Sequence, residues 1–246
     1  MNFELLPPII LDSVDSTNAA AMRLLKDGRP IEGTCIRANY QTAGRGQRNN
    51  HWQSDTHENL LVSFILYPSP HLSSMPFSLS KTIALAVHQT LCAFASVDVK
   101  IKWPNDLLIG GKKAAGILIE NQWSGSSWSA AIAGIGINVN QRIFEVNHAT
   151  SISAESAKNT PIEEVLSELQ RQLSHFYERL CNGDYAAINQ AYHQHLFGRN
   201  DTYTYEIREG KIQAKVVRVL DDGQVELITE KGATNSYQLS EIRLMY

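Results

Sequence analysis

The feature that most constrains this chain is a change of hydrophobic period in its middle. Between Leu79 and Phe94 the apolar residues Leu79, Ile83, Val87, Leu91 and Phe94 recur at three- and four-residue steps, the mark of one helix face, and a helix over about 78–95 is expected. Immediately afterwards the period falls to two. Val97, Val99 and Ile101 alternate with Asp98, Lys100 and Lys102, and Pro104 halts the run. Leu107-Leu108-Ile109 and the run Ala114 to Glu120 then flank Gly110-Gly111, a pair suited to the positive φ values of a two-residue hairpin turn. Ser124 to Ser127 supplies a further turn before the apolar run Ala130 to Val139. Strands in hairpin order cannot make an all-parallel sheet, so the fold class is α+β with a mixed or antiparallel sheet.

Helices bracket these strands. Thr160-Pro161-Ile162-Glu163 reads as a capping box with proline at the first helical position. Behind it Ile162, Val165, Leu166, Leu169, Leu173, Phe176, Tyr177 and Leu180 keep one face apolar for about five turns. A shorter helix is expected from Asn18 to Lys26, started by Asp15-Ser16-Thr17 and stopped at Gly28. From Asp201 onward the pattern changes to short strand-like runs, Asp201 to Ile207, Lys211 to Leu220, Val225 to Thr229 and Asn235 to Leu239, separated by glycine turns. Turn signals this dense imply a small β-barrel appendage, with a boundary near Gly198-Arg199-Asn200, hence a large unit over 1–198 and a small one over 199–246.

Composition narrows the class. With 43% apolar and 19% charged residues in 246, the chain is an ordinary globular protein. The 22 basic and 25 acidic residues leave a net charge of -3, so no polycationic surface advertises nucleic acid. Cys35, Cys92 and Cys181 are odd in number, far apart and without a CxxC partner, which indicates neither disulfide nor zinc and favours a reducing, cytoplasmic setting. No apolar stretch approaches the roughly 18–20 residues that cross a bilayer, and the first ten residues lack the basic region of a signal peptide, so no membrane partner is expected.

Three segments carry the chemistry. Gly44-Arg45-Gly46-Gln47-Arg48-Asn49-Asn50-His51-Trp52, preceded by Gln41, combines glycines for close backbone approach, arginines for an anion and a tryptophan for a flat ring. Taken alone such a loop is more often a solvated linker, and it lacks the third glycine of a dinucleotide fingerprint. Lys102-Trp103-Pro104-Asn105-Asp106, followed by Lys112-Lys113-Ala114-Ala115-Gly116-Ile117-Leu118-Ile119-Glu120, puts a lysine at a strand end, where it either neutralises a phosphate or simply reaches into water. In Gly134-Ile135-Gly136-Ile137-Asn138-Val139-Asn140 the small residues mark either a ligand's close approach or a bulge.

Together these segments, in this order and spacing, resemble the biotin protein ligases, and Asp12 to Asn18 resembles the Ser-Thr-Asn segment that precedes them in that family. The resemblance is close over residues 10 to 140. It implies activation of biotin by ATP to biotinyl-5′-adenylate, with transfer to a lysine of a biotin carboxyl carrier domain. It also implies a class II aminoacyl-tRNA-synthetase-like catalytic domain followed by an SH3-like barrel.

By the same resemblance Lys102, Arg45 and Lys113 are the catalytic cations. The biotin slot falls to Ser16, Thr17, Asn18, Gln41, Arg45, Gly46, Gln47, Lys102 and Gly116, with Ser16, Thr17 and Gln41 on the ureido head. The nucleotide side falls to Arg45, Arg48, Trp52, Asn105, Lys113 and Asn138, with Asn138 on the adenine. Mg²⁺ arrives with ATP on phosphate oxygens, with no metal site of the chain's own. The family commonly has arginine where this chain has Gln47 and glycine where it has Asn49, which leaves open whether Gln47 or Arg48 takes the phosphate contact. Few apolar side chains hold the 44–52 loop, so it is expected to be mobile until ligand binds. Lipoate ligase chemistry is the alternative on the same fold. Site-specific DNA binding is not expected, because the Ser-Thr-Asn segment begins at residue 16 and leaves no room for a helix-turn-helix. A homodimer remains open.

Overall fold

The computed structural model describes residues 6–245, the side chain of Asn49 excepted. Its elements are β1 (Ile9–Val14), α1 (Thr17–Asp27), β2 (Cys35–Gln41), β3 (Asn59–Leu66), α2 (Phe77–Phe94), β4 (Val99–Lys102), β5 (Asp106–Ile109), β6 (Lys112–Ser124), β7 (Ser127–Asn138), α3 (Ile152–Ser156), α4 (Ile162–Cys181) and α5 (Tyr185–Gln194). They are followed by β8 (Tyr203–Ile207), β9 (Gly210–Val219), β10 (Val225–Thr229), β11 (Thr234–Tyr237) and β12 (Ile242–Leu244).

The first seven strands form one mixed sheet in the order β1-β2-β3-β7-β6-β5-β4. Only β1 and β2 run parallel, joined through α1, while the remaining pairs are antiparallel. Gly110 and Gly111 take φ +56° and +82°, as the tight turn between β5 and β6 requires. Side chains alternate across the central strand β3. Phe64 faces the main core with α2 and α4, whereas Ile65 joins Ala20, Ala21, Ile36 and Ile132 under α1. The apolar face of α4 is buried as its period implies, with Val165, Leu169, Leu173 and Leu180 fully covered. Each such side chain contributes roughly 1.5–3 kcal/mol.

Two local expectations are corrected. The capping box at Thr160 does not form: Pro161 is the N-cap of α4 and no side chain caps it. Tertiary partners replace it. Asn140 brackets Thr160, accepting its N–H and donating to its carbonyl, both at 2.9 Å, and Glu163 pairs instead with the buried Arg37 at 2.9 Å. Val97 lies outside β4 and is exposed, because the chain leaving α2 reaches the sheet only at Val99.

The last five strands form a separate antiparallel sheet in the order β11-β10-β9-β8-β12, in which β12 was not anticipated. Its apolar side chains, Tyr205, Val216, Val225, Leu227 and Ile242 among them, join the main core rather than forming one of their own. The seam is pinned by polar contacts. Buried Lys81 of α2 donates to Asn189 Oδ1 at 2.7 Å and to Asp221 Oδ1 at 3.1 Å, and Trp103 Nε1 donates to Gly223 O at 2.9 Å. Gly223 has φ +92°, and a side chain there would meet the Phe77 ring, so the turn admits only glycine. Among the described residues no helix is long and apolar enough to cross a membrane.

Candidate active site

The site is built on a floor of glycine. β6 and β7 pair Gly116 with Gly136 and Leu118 with Gly134 in unbroken register, so those glycines are not a bulge. They admit the protein's own side chains. A Cβ on Gly136 would lie 2.5 Å from the Trp52 indole, one on Gly116 2.8 Å from it, and one on Gly134 would overlap Asn18. The indole therefore rests directly on the strands, with its Nε1 buried and unpartnered and Lys113 Nζ 5.4 Å from the ring centroid.

Trp52 closes a loop that carries backbone pairing of its own. Arg45 and His51 form a β-bridge, Gly46 N donates to Asn50 O at 2.7 Å, and Trp52 N donates to Gly44 O at 3.0 Å. Exposed Arg48 sits at the tip with φ +55°. Arg45 Nη2 reaches Glu120 Oε2 at 3.0 Å. Backbone pairing within a loop leaves no mark in side-chain composition.

Across the cavity stands the Lys102–Asp106 turn. Register places Lys102 opposite Asp106. Asp106 faces two ammonium groups, with Lys113 Nζ at 2.6 Å from Oδ1 and Lys102 Nζ at 3.7 Å from Oδ2. No well-angled hydrogen bond reaches Oδ1, so the Lys113 contact is an ion pair. Asn105 clips this turn to β6: its Nδ2 donates to Ile117 O at 3.0 Å and its carbonyl accepts Ile117 N–H at 2.9 Å.

The third wall is the start of α1. Ser16 Oγ accepts the Ala19 N–H at 3.1 Å and so caps the helix, while Thr17 N donates to Gln41 Oε1 at 2.7 Å. Ser63 Oγ of β3 lies 2.7 Å from Thr17 Oγ1 and 2.6 Å from Asn18 Oδ1. Asn18 Nδ2 donates to Glu120 Oε2 at 2.7 Å.

These walls enclose a cavity of about 620 Å³, within the roughly 300–1,000 Å³ of small-molecule sites. Ser16, Thr17, Asn18, Gln41, Arg45, Gly46, Gln47, Arg48, Trp52, Lys102, Asn105, Lys113 and Gly116 all line it. Asn138 does not. It shares the face of Gly134 and Gly136, but it is buried and its Nδ2 donates to Thr150 O at 2.9 Å. Sequence reasoning missed Ser63 and Glu120 behind the wall, and also Arg243 of β12 and its neighbours Leu239 and Met245, which line the cavity. Ser63 had a signal, a lone hydroxyl in the apolar run Leu60 to Leu66; Arg243 had none. No cysteine lines the cavity, and burial pushes the Cys35 thiol up to about 12.

Comparison with known proteins agrees with this geometry. The model of the biotin/lipoate A/B protein ligase family matches residues 10–138. The chain is 32% identical over 234 residues to a bifunctional ligase/repressor BirA of Bacillus spizizenii, covering 93% of this chain and 71% of that protein. It is 35% identical over 132 residues to the biotin–[acetyl-CoA-carboxylase] ligase of Paracoccus denitrificans, covering 53% of each. The biotin protein ligase of Aquifex aeolicus, solved in complex with biotin and ATP, superposes with a TM-score of 0.78 at 27% identity, over 97% of this chain and 98% of that one. A cavity that gathers the family's motifs, on a fold shared along nearly the whole chain, shows that this protein belongs to the biotin/lipoate A/B protein ligase family, among its biotin protein ligases.

Proposed function

We propose that the chain activates biotin with ATP to biotinyl-5′-adenylate and then passes the biotinyl group to one lysine of a biotin carboxyl carrier domain. The observation that carries this reading is the convergence of four separated sequence segments on one cavity with a cationic rim and a hydroxyl-lined end. In the first step a biotin carboxylate oxygen bonds to the α-phosphorus and pyrophosphate leaves. Both reactants are anionic, so Arg45, Lys102 and Lys113 offset their repulsion and the charge that grows on phosphate oxygen. In the second step the carrier amine attacks the acyl carbon, the mixed anhydride breaks and AMP leaves, without a nucleophile from the enzyme.

The hydroxyl end suits a cyclic urea. Ser16 Oγ already accepts a helix N–H, so its own proton is free to donate to the ureido carbonyl. The Thr17 oxygen has lone pairs for a ureido N–H. Partners buried and waiting in this way select against an acyl group without the urea, such as lipoate. Asn105 holds the Lys102 turn, Gly116 gives Trp52 its seat, and Gly46, Gln47 and Arg48 present the loop to the phosphates. Mg²⁺ enters as part of the ATP substrate, and no step is routed through it.

The reading also divides the chain into a class II synthetase-like catalytic unit over 1–198 and an SH3-like barrel over 199–246, supported by the separate five-stranded antiparallel sheet. It places the enzyme in the cytoplasm, and the net charge of -3 supports the exclusion of DNA as a partner. The edge strand β1, with Ile9 and Ile10 exposed, is the surface on which a homodimer would pair. Biotin-dependent ATP–pyrophosphate exchange, with lipoate as control, tests the central statement. Exchange with biotin and none with lipoate is expected; the reverse overturns it.

A further inference from the structure

β4 is the outermost strand of its sheet and Lys102 is its last residue, so this lysine is mounted at an edge. One flank of the turn that follows is held within the sheet, where Asn105 makes two hydrogen bonds to Ile117. The other flank is held from outside it. The free edge of β4 is covered by the segment that leads into the second sheet: Ile101 N donates to His195 O at 2.9 Å, and Phe197 N donates to Ile101 O at 2.8 Å. Two residues further on, Trp103 Nε1 donates to Gly223 O at 2.9 Å, across the seam. Lys102 thus stands between two attachments, at Ile101 and Trp103, to chain outside its own sheet.

The carbonyl that receives Trp103 is itself fixed. Gly223 lies in the β9–β10 turn, which closes through Gly223 N to Leu220 O at 3.1 Å and Leu220 N to Gln224 O at 2.8 Å. The turn meets one face of α2, where Phe77 and Lys81 stand four residues apart. The Phe77 ring fills the space beside Gly223, 2.7 Å from where a Cβ would lie. Lys81 donates to Asp221 Oδ1 at 3.1 Å and to Asn189 Oδ1 at 2.7 Å, with 2% of its side chain exposed. An ammonium group taken out of water is costly even when it is paired, and this one does not line the cavity, so the adenylation chemistry does not use it.

We propose that the 221–223 turn of the second sheet is the outer mount of Lys102, with Lys81, Asp221 and Trp103 as positioning residues. Lys81 sets Asp221, the turn presents the Gly223 carbonyl, and that carbonyl sets Trp103 and the lysine beside it. The inference rests on the biotin ligase reading, in which Lys102 faces the reacting carboxylate and α-phosphate. Misplacing such a group by about 1 Å costs up to about a hundredfold in rate, so the open edge of a sheet is a weak place for it. The seam contacts supply the missing side of the mount, and the buried cation acts through the place it gives its partner.

The test is a coupling measurement in biotin-dependent ATP–pyrophosphate exchange. W103F keeps a ring on the core and removes the indole N–H; it should lower kcat about tenfold and leave KM for biotin and for ATP within about twofold. In a K102A background the same change should cost less than about twofold, because no lysine remains to be misplaced. D221A, at a side chain 63% exposed, should lower kcat about threefold and add nothing to W103F. D221N should restore the rate, because its amide oxygen still accepts from Lys81. A merely structural seam gives a different result: loss of folded protein lowers exchange by the same factor with Lys102 present or absent. If W103F does not fold, D221A and D221N carry the same comparison with K102A. Undiminished kcat in W103F and D221A, or an equal loss in both backgrounds, overturns the mount. Absence of biotin-dependent exchange in wild type sinks the ligase reading instead.

Discussion

The two sides of the cavity carry their cations in different ways. On one side Lys102 of β4 and Lys113 of β6 flank β5, share one carboxylate, Asp106, and are backed by the backbone ladders of those three strands. On the other side Arg45 and Arg48 belong to a nine-residue loop, Gly44 to Trp52, fastened by one β-bridge, one ion pair at 3.0 Å and an indole resting on glycines. Charge that must stand still at a reacting bond is mounted on strands, and charge that must admit and then enclose a substrate is mounted on a loop. The hairpin side is thus expected to fail by losing chemistry, and the loop side by losing ligand retention.

The largest expected effect lies on the hairpin side. Lys102→Ala should lower biotin-dependent pyrophosphate exchange by about a hundredfold or more, the scale for removing one group that stabilises growing charge. Its side chain is at a strand end and carries little core packing, so thermal stability should change little. Unaltered exchange would remove Lys102 from the reaction and break the comparison.

Acid should loosen the same side next. His88 of α2 holds the head of β4 through Nε2 and the Val99 carbonyl at 3.1 Å. Burial, reinforced by His195 tilted against it with ring centroids 4.1 Å apart, pulls its pKa down from 6.5 to about 4. Between those values the unfolded chain takes up a proton that the folded one refuses. The contribution of the buried neutral ring is therefore complete above pH 6.5 and lost progressively as pH falls towards 4, by up to about 3 kcal/mol. Depressed carboxylates such as Asp15 and Glu168 also weaken the fold in acid, so the comparison is between wild type and His88→Gln. The variant should show the shallower pH slope in urea unfolding, and equal slopes would remove His88 as the cause.

How much of this was legible follows from where the constraint lies. β4, β5 and β6 could be read because alternation, Pro104 and Gly110-Gly111 are local signals. The strand β3 could not: Asn59 to Leu66 is covered on both faces, so its apolar run has no period. The cavity residues were legible as motifs, each ambiguous alone. Ser63 and Glu120 escaped because their importance is a matter of what they touch across the sheet. For Asn138 the strand pattern gives the face of the residue but not the segment that covers it, here the chain at Thr150. Thr160 misled for the same reason, since Asn140 supplied from afar what a capping box supplies locally.

A smaller effect belongs to the loop's seat. In Gly136→Ala the new methyl occupies space held by the Trp52 indole, which must lift or slide. The expected result is a rise of about tenfold in the KM for ATP, with kcat less affected, because retention rather than chemistry depends on the seat. Trypsin reports the same event directly. In wild type without ligand, cleavage should be faster after Arg48, exposed at the tip, than after Arg45, which is paired in the β-bridge. Biotin with ATP should suppress both cuts, and Gly136→Ala should make the unliganded loop more susceptible. Equal cutting with and without ligands would mean that the loop does not gate the site.

The smallest effect is expected from Gln47→Arg, and it distinguishes two ways of holding the phosphates. Gln47 and Arg48 both line the cavity, so either position can present a cation there. Arg48 stands at φ +55°, a conformation that β-branched or bulky residues rarely adopt, and this turns the tip between them. If Arg48 lies beside the phosphates without fully engaging them, an added arginine supplies a second charge-assisted contact. The adenylate should then dissociate about two- to threefold more slowly, which is under 1 kcal/mol and typical of a partly exposed ion pair. If Arg48 already fills that position, two guanidinium groups compete for one anion and repel each other, and dissociation should accelerate instead. Dissociation of preformed biotinyl-adenylate, measured at two salt concentrations, separates these outcomes. A gain from direct pairing shrinks as salt rises, and so does a loss from repulsion, so the sign at low salt identifies which residue holds the phosphate.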